Sequence, residues 1–286
     1  MANDPALGWQ GDLLNLDAYL TRIGFAGDPA PTARTLRAVQ RGHVTSIPFE
    51  NLEIMLDRPI VFGIDNLQRK LVLDRRGGYC FEQTALFAAA LERLGFAFTA
   101  LVGRVTMGSD KLRPTTHALL LVEADGDQWI CDVGFGRGPL EPILFADGNE
   151  VVQDGWGFRL EKRTDAKSGM PGVQEWALVQ HGPDGWTERH TFQLAPVYRL
   201  DFEVLSHYVS THPRSPFTTR PFAQRFTVEA HYQLDGTSLT TTRPNGKSDM
   251  RVVGPAEVPP LLDETFGITL APADAARLTD DLSDDR

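Results

Sequence analysis

The segment Arg75-Arg76-Gly77-Gly78-Tyr79-Cys80-Phe81-Glu82 sets a cysteine behind two glycines and ahead of an alanine-rich apolar run. Glycine lets the backbone turn tightly and lets another molecule approach it closely. The run Phe81 to Leu94 predicts a helix stopped by Gly95, so Cys80 stands at a helix N-terminus. There the dipole and the unpaired N–H groups favour the thiolate, which is the nucleophilic form. The same residues also suit a glycine turn before a packed helix with a merely buried cysteine.

A nucleophilic cysteine needs a base, and the base needs an orienting group. The chain has seven histidines. His43 lies in a predicted helix, His181 and His190 lie in or beside polar loops, and His207, His212 and His231 lie in the last third. These six read as surface or satisfied histidines. His117 differs by its register. It opens the strand-like run Thr116 to Val122, and Asp125-Gly126 predicts a two-residue hairpin turn. Ala124 then faces Asp127, and Leu119 faces Asp132. His117 shares the face of Leu119, which makes His117 and Asp132 diagonal neighbours within side-chain reach. A carboxylate in Trp129-Ile130-Cys131-Asp132-Val133 is costly to bury alone, and an imidazole would offset that cost. The competing reading has Asp132 capping the next turn. Cys131 points to the opposite face, with Trp129, and reads as structural. Cys80, His117 and Asp132 are thus the candidate Cys-His-Asp triad.

The elements that would hold these residues change along the chain. Residues Leu13 to Gly95 read as mainly helical, with Asn15 and Thr32 as caps and Ile47-Pro48 as a break. From Phe98 the pattern becomes strand-like: Phe98 to Val105, Ala118 to Val122, Trp129 to Val133, Phe158 to Glu161, Glu175 to Gln180 and Thr187 to Gln193. This middle part reads as an antiparallel sheet or barrel. After Leu200 helices and a hairpin around Asp235-Gly236 mix. The order excludes a regular βαβ sheet and gives an α+β fold class.

Composition narrows the partners. A net charge of −10 over 286 residues makes a nucleic-acid ligand a poor fit, since phosphate backbones need a basic surface. No run of 18 apolar residues crosses a membrane. Met1 to Gln10 shows no basic-then-apolar export pattern, and two cysteines make no disulfide framework or four-cysteine metal site. A reducing, cytoplasmic setting is expected, with no metal. Asp274, Asp280, Asp281, Asp284 and Asp285 read as a solvated acidic tail.

Four strings in order then carry a resemblance: Ile-Pro-Phe-Glu-Asn-Leu-Glu at 47–53, Arg-Arg-Gly-Gly-Tyr-Cys-Phe-Glu at 75–82, Thr-His-Ala-Leu-Leu-Leu-Val at 116–122 and Asp-Val-Gly-Phe-Gly at 132–136. Together they resemble the arylamine N-acetyltransferases, across residues 13 to 270. The resemblance implies an N-terminal helical bundle (1–97) carrying the nucleophile, a central antiparallel β-barrel (98–205) carrying His117 and Asp132, and a C-terminal α/β lid (206–286) with a disordered acidic tail. It implies acetyl transfer from acetyl-coenzyme A to arylamines or arylhydrazines, in ping-pong order through an acetyl-cysteine, as in xenobiotic metabolism. Acetyl-coenzyme A would be a co-substrate, and no cofactor would be tightly bound. By the same resemblance Glu50 and Arg75 form an ion pair supporting the active-site loop, with Gly134 beside the cleft. Phe49, Phe81 and Phe135 would contact the substrate, and Thr211, Ser215 and Phe217 would line the coenzyme A cleft. Thr84 and Arg214 depart from the family pattern. Homo-oligomers are compatible with all of this. Two other classes use the same residues differently: a cysteine hydrolase with water as acceptor, and a non-enzymatic binding protein that keeps the fold.

Overall fold

The structure, a computed structural model, describes residues 8–163, 174–227 and 229–284. Its N-terminal helices start where the sequence supplies caps. Asn15 accepts the Ala18 N–H ahead of α1 (Leu16–Arg22), and Thr32 accepts the Thr35 N–H ahead of α2 (Ala33–Ser46). The Ile47-Pro48 break gives way to β1 (Phe49–Glu50), then α3 (Leu52–Met55) and α4 (Ile64–Gln68), which runs on into a π turn to Leu73. Helix α5 (Cys80–Arg93) is buried at every residue from Cys80 to Leu91. A helix apolar all round belongs in a core, and α5 packs among Trp9, Tyr19, Leu36 and Phe202.

Eight antiparallel strands follow: β2 (Ala97–Val105), β3 (His117–Ala124), β4 (Asp127–Cys131), β5 (Ile143–Leu144), β6 (Glu150–Gln153), β7 (Trp156–Arg163), β8 (Glu175–Gly182) and β9 (Gly185–Gln193). Their order is β5-β4-β3-β2-β9-β8-β7-β6. The sheet curls into a nearly closed barrel around Leu101, Leu119, Ile130, Phe158, Leu178 and Phe192. Across the gap between its edges, the Gln153 amide bonds the Glu141 backbone twice, at 3.0 and 2.9 Å.

The β3–β4 hairpin has the expected register. Ala124 pairs with Asp127 and Leu120 with Cys131. Asp125 and Gly126 form the two-residue turn at φ 52° and 84°, the left-handed region this turn demands. Strand β3 is covered on both faces. Ala118, Leu120 and Val122 meet the helices, while Leu119 and Leu121 fill the barrel. A slip of one residue would exchange these sets, so the register that carries His117 is firmly held.

The chain then forms α6 (Arg199–Thr211) and the strands β10 (Phe222–Phe226), β11 (His231–Asp235), β12 (Ser238–Thr242) and β13 (Ser248–Val252). They make a second antiparallel sheet in the order β1-β10-β11-β12-β13, so the N-terminal part lends it an edge strand. Helix α7 (Val258–Leu261) continues as a π turn to Phe266. The acidic tail is not disordered through Asp284: Pro272–Ser283 is a helix, α8. Pro272 suits its first turn, Leu278 is buried, and Asp274 bonds Arg58 at 3.0 Å. The docked apolar side is what the charge count conceals. Asp285 lies outside the described residues.

Candidate active site

Cys80 is the first residue of α5, and Tyr79 caps it in extended conformation. The Glu82 carboxylate reaches back to the Tyr79 N–H at 3.3 Å, closing the helix start. The thiol donates to the Thr116 carbonyl at 3.4 Å, and the Ala118 N–H faces the sulfur. Thr84, one turn on, donates to the Ala118 carbonyl at 3.2 Å. The Cys80 end of α5 is therefore seated on the backbone either side of His117. Gly134 closes the other side: a Cβ there would lie 2.7 Å from the Cys80 Cα. Only glycine fits so close a backbone approach.

Burial works against the thiolate that the helix N-terminus favours. Burial pushes Cys80 up to about 12, and the Asp132 charge adds to it, against the N–H groups of Ala118, Phe81 and Cys80. Desolvation of sulfur outweighs the dipole here. Cys131 is fully buried beside Trp129, and burial, with the Asp132 charge, pushes its thiol well up.

His117 and Asp132 meet as the register requires. Nε2 of His117 lies 3.0 Å from both carboxylate oxygens. Nδ1 is thus the ring nitrogen not engaged by Asp132. His190 bonds the same carboxylate, Nε2 to Oδ2, at 2.9 Å. The two rings lie 4.7 Å apart, and all three side chains are buried. Burial disfavours the charged carboxylate, yet the charges and hydrogen bonds of His117 and His190 hold Asp132 well below its ordinary range. The three donor atoms lie within 4.8 Å of one another, a set that could also hold a divalent cation. Their N···O spacings are those of hydrogen bonds.

His190 is the member of this buried cluster that a reading of loops and polarity misses. It falls in the predicted strand Thr187 to Gln193, two residues before Phe192. Period-two alternation from that inward phenylalanine is the signal that places it in the barrel mouth.

A buried charge network fixes the loop before Cys80, with one correction. Arg76, not Arg75, pairs with Glu50, at 2.9 Å. Arg75 takes a left-handed φ of 53° where the chain turns, and its side chain is exposed. Arg76 also reaches Glu53 at 3.1 Å, and Lys70 bonds Glu82 at 2.7 Å. Burial opposes ionisation of Glu50, but Arg76, Lys70 and the Leu52 N–H hold its carboxyl below the usual range.

The aromatic expectations divide. Phe135 is half-buried and stands edge-on to His117 at 5.1 Å. Phe49 lies 5.7 Å from Phe217, which stacks on Tyr79 at 6.1 Å, so both rings flank the loop leading to Cys80. Phe81 presents no surface to a substrate. One residue past Cys80, it points about 100° round the helix and packs edge-on to Phe202 at 5.2 Å. Ser215 is buried, and its hydroxyl accepts the Phe217 N–H at 3.3 Å. Thr211 is exposed and donates to the His207 carbonyl at 2.5 Å.

Comparison with known proteins adds the lineage. The N-acetyltransferase family model matches residues 32–275. The arylamine N-acetyltransferase of Mycolicibacterium smegmatis is 36% identical over 264 residues, covering 90% of this chain and 93% of that protein. The crystal structure of the Nocardia farcinica arylamine N-acetyltransferase superposes with a TM-score of 0.92 at 55% identity, covering 97% of each chain. The Mycobacterium marinum arylamine N-acetyltransferase, solved in complex with CoA, gives a TM-score of 0.85 at 31% identity, covering 94% of this chain and 99% of that one.

Two outcomes follow from the packing around Cys80. Glu50→Ala should lower unfolding stability by about 1–3 kcal/mol, because Arg76 keeps only Glu53 and the Leu52 and Gly77 N–H groups lose their acceptor. A denaturant titration in which the variant matches wild type would contradict the network. Gly134→Ala should cut kcat by at least about tenfold by shifting the sulfur. Unchanged turnover would show that the Cys80–Gly134 contact positions nothing.

Proposed function

The chain belongs to the arylamine N-acetyltransferase family, and on that premise we propose that it moves acetyl from acetyl-coenzyme A to the nitrogen of an arylamine or arylhydrazine through an acetyl thioester on Cys80. Acetyl transfer from acetyl-coenzyme A is the general reaction of the family, with acetyl-coenzyme A as co-substrate. The observation that carries the finer reading is the seating of the Cys80 sulfur on the backbone beside His117, whose Nε2 is held by Asp132.

Burial favours the protonated thiol at rest. When the thioester binds, that proton passes to Nδ1 of His117 as the sulfur attacks the acetyl carbon. The imidazolium forms against a buried carboxylate that already holds its other nitrogen. The carbon–sulfur bond to coenzyme A breaks, and the leaving sulfur takes the proton back from His117. In the second half the amine nitrogen attacks the acetyl carbon of acetyl-Cys80. Its proton passes through His117 to the departing Cys80 sulfur. The N–H groups that face the sulfur, of Phe81 and Ala118, are placed to stabilise an oxyanion. Phe135, against His117, would form one wall of the acceptor pocket, with Phe49 beside it. Phe217, Ser215 and Thr211 would flank the donor on the lid side. No described helix is long and apolar enough to cross a membrane; we place the activity in the cytoplasm, in the handling of foreign aromatic amines.

Intact mass spectrometry after mixing with acetyl-coenzyme A should show one added acetyl group, and digestion should place it on Cys80. An arylamine should remove it much faster than water does. Discharge by water at the same rate would make the protein a hydrolase, and no adduct would remove the covalent intermediate. Asp132→Asn should lower kcat by orders of magnitude, roughly 10⁴-fold in the comparable protease triad; near wild-type turnover would refute its orienting role. The raised thiol also fixes a pH dependence. With His117→Asn, iodoacetamide labelling of Cys80 should rise about tenfold per pH unit from pH 7 to 10, since thiolate grows with pH below its pKa. A plateau below pH 8 would show a thiol that ionises unaided.

A further inference from the structure

Strand β13 (Ser248–Val252) ends the second sheet, and its outer edge pairs with no other strand among the described residues. Every residue along it is exposed. Met250 and Val252, both large and apolar, are each 72% exposed. Such an edge is a template for another strand, and proteins guard it with proline, a bulge or repelling charge. The run Ser-Asp-Met-Arg-Val has no proline, its two charges are opposite in sign, and its register with β12 is unbroken from Ser248 to Val252.

The bonds at its two ends fix which backbone groups face outward. The Lys247 carbonyl accepts the Arg243 N–H at 2.9 Å, and the Val253 N–H donates to the Thr237 carbonyl at 2.9 Å. Both bonds point towards β12, and an antiparallel ladder alternates. Asp249 and Arg251 therefore turn their N–H and C=O groups to β12, while Ser248, Met250 and Val252 turn theirs outward. Side chains alternate as well, so Met250 and Val252 share one face and Asp249 and Arg251 the other. The hairpin is braced on the barrel: a Cβ at Gly246 would lie 2.8 Å from Pro183, and one at Gly155 the same distance from Pro244.

We propose that β13 pairs with β13 of a second copy of this chain, antiparallel about a two-fold axis at Met250, so that the two sheets join edge to edge. In this register the strand complements itself. Met250 meets the partner's Met250, and Ser248 meets the partner's Val252, each pair exchanging the outward backbone bonds. Asp249 then stands directly opposite the partner's Arg251, at the non-hydrogen-bonded position where side chains come closest. Symmetry supplies this pair twice. Opposite charges facing across a ladder stabilise it, and like charges destabilise it. A slide of two residues is the smallest that keeps the outward groups paired. It sets Asp249 against Asp249 or Arg251 against Arg251, so charge selects the register.

The present partners of these charges do not prevent the pairing. Asp249 bonds Arg243 at 2.5 Å and Arg251 lies 3.9 Å from Glu257, all on exposed side chains that can regroup. The chain's net charge of −10 opposes self-association in general, but this edge is locally neutral. Met250 and Val252, with their copies, would form one continuous apolar stripe across the junction. The far edge of the sheet is β1, where Glu50 clamps the loop before Cys80. The interface therefore covers none of the residues around Cys80, and turnover per chain should not depend on association.

Sedimentation equilibrium of the full chain tests this, and wild type should show a monomer–dimer equilibrium. D249R and R251D should each weaken dimerisation about tenfold or more, since like charges then face each other twice. Mixing the two variants should restore a dimer, because each supplies the charge the other lacks, and the double variant D249R/R251D should dimerise as well. Met250→Cys should give a disulfide-linked dimer under mild oxidation, with the bond located by digestion, because Cα atoms of a hydrogen-bonded pair lie about 5.5 Å apart. Ser248→Cys should not, since its copy would lie about 13–14 Å away along the strands. A wild type that stays monomeric to submillimolar concentration leaves the edge to solvent or to a strand of another protein, and overturns the proposal. So does a dimer that D249R leaves intact, a mixture of variants that fails to restore one, or cross-linking through Ser248→Cys in place of Met250→Cys.

Discussion

Everything at this centre depends on one buried carboxylate having enough donors. Asp132 lies at 1% exposure, where an unpaired charge would be prohibitive. Two imidazoles resolve this, with Nε2 of His117 at 3.0 Å and Nε2 of His190 at 2.9 Å. Because an ionised carboxylate only accepts, each ring must present an N–H to it. That requirement sets the tautomer of His117 and frees Nδ1 as an acceptor. One contact therefore both stabilises the buried acid and orients the imidazole ring.

The sulfur is held by different means. Helix α5 is buried nearly all round, so Cys80 cannot drift with a mobile loop. Its first turn is tied back by Glu82, which is itself held by Lys70, while Glu50 and Arg76 clamp the two glycines that precede it. A Cβ at Gly77 would lie 2.1 Å from the Pro48 carbonyl oxygen, so the clamp closes only on glycine. The ion pairs are buried and specific; their value is in geometry more than in net stability. The sulfur is thus held in place although burial pushes its thiol up to about 12.

What the sequence made legible was local chemistry with a short reach. The Asp-Gly turn set the hairpin register, and the register set the His117–Asp132 pair, because period-two alternation carries information across a few residues without loss. The caps at Asn15 and Thr32 were legible for the same reason. Matters decided by distant contacts were not. Which of two adjacent arginines reaches Glu50 depends on the left-handed turn at Arg75. The ionisation of Cys80 depends on how completely β3 and the Asp132 loop cover it. The terminal aspartates fold into a helix because Leu278 finds a core made by residues far away in the chain. His190 lay between these cases: its alternation with Phe192 was visible, but the closure that brings β9 beside β3 was not.

The β-bulge on β9 ties these strands of reasoning together. A regular ladder would alternate Arg189 and His190 to opposite faces, leaving one of them out of the barrel mouth. With the extra residue, both lie against Phe135. His190 bonds Asp132 behind His117, and Arg189 sets its guanidinium over the Phe135 ring. The same irregularity weakens the ladder locally, and the barrel tolerates it where strands β8 and β9 are otherwise paired along their length. A centre built this way accepts buried, unanswered N–H donors as part of its resting state.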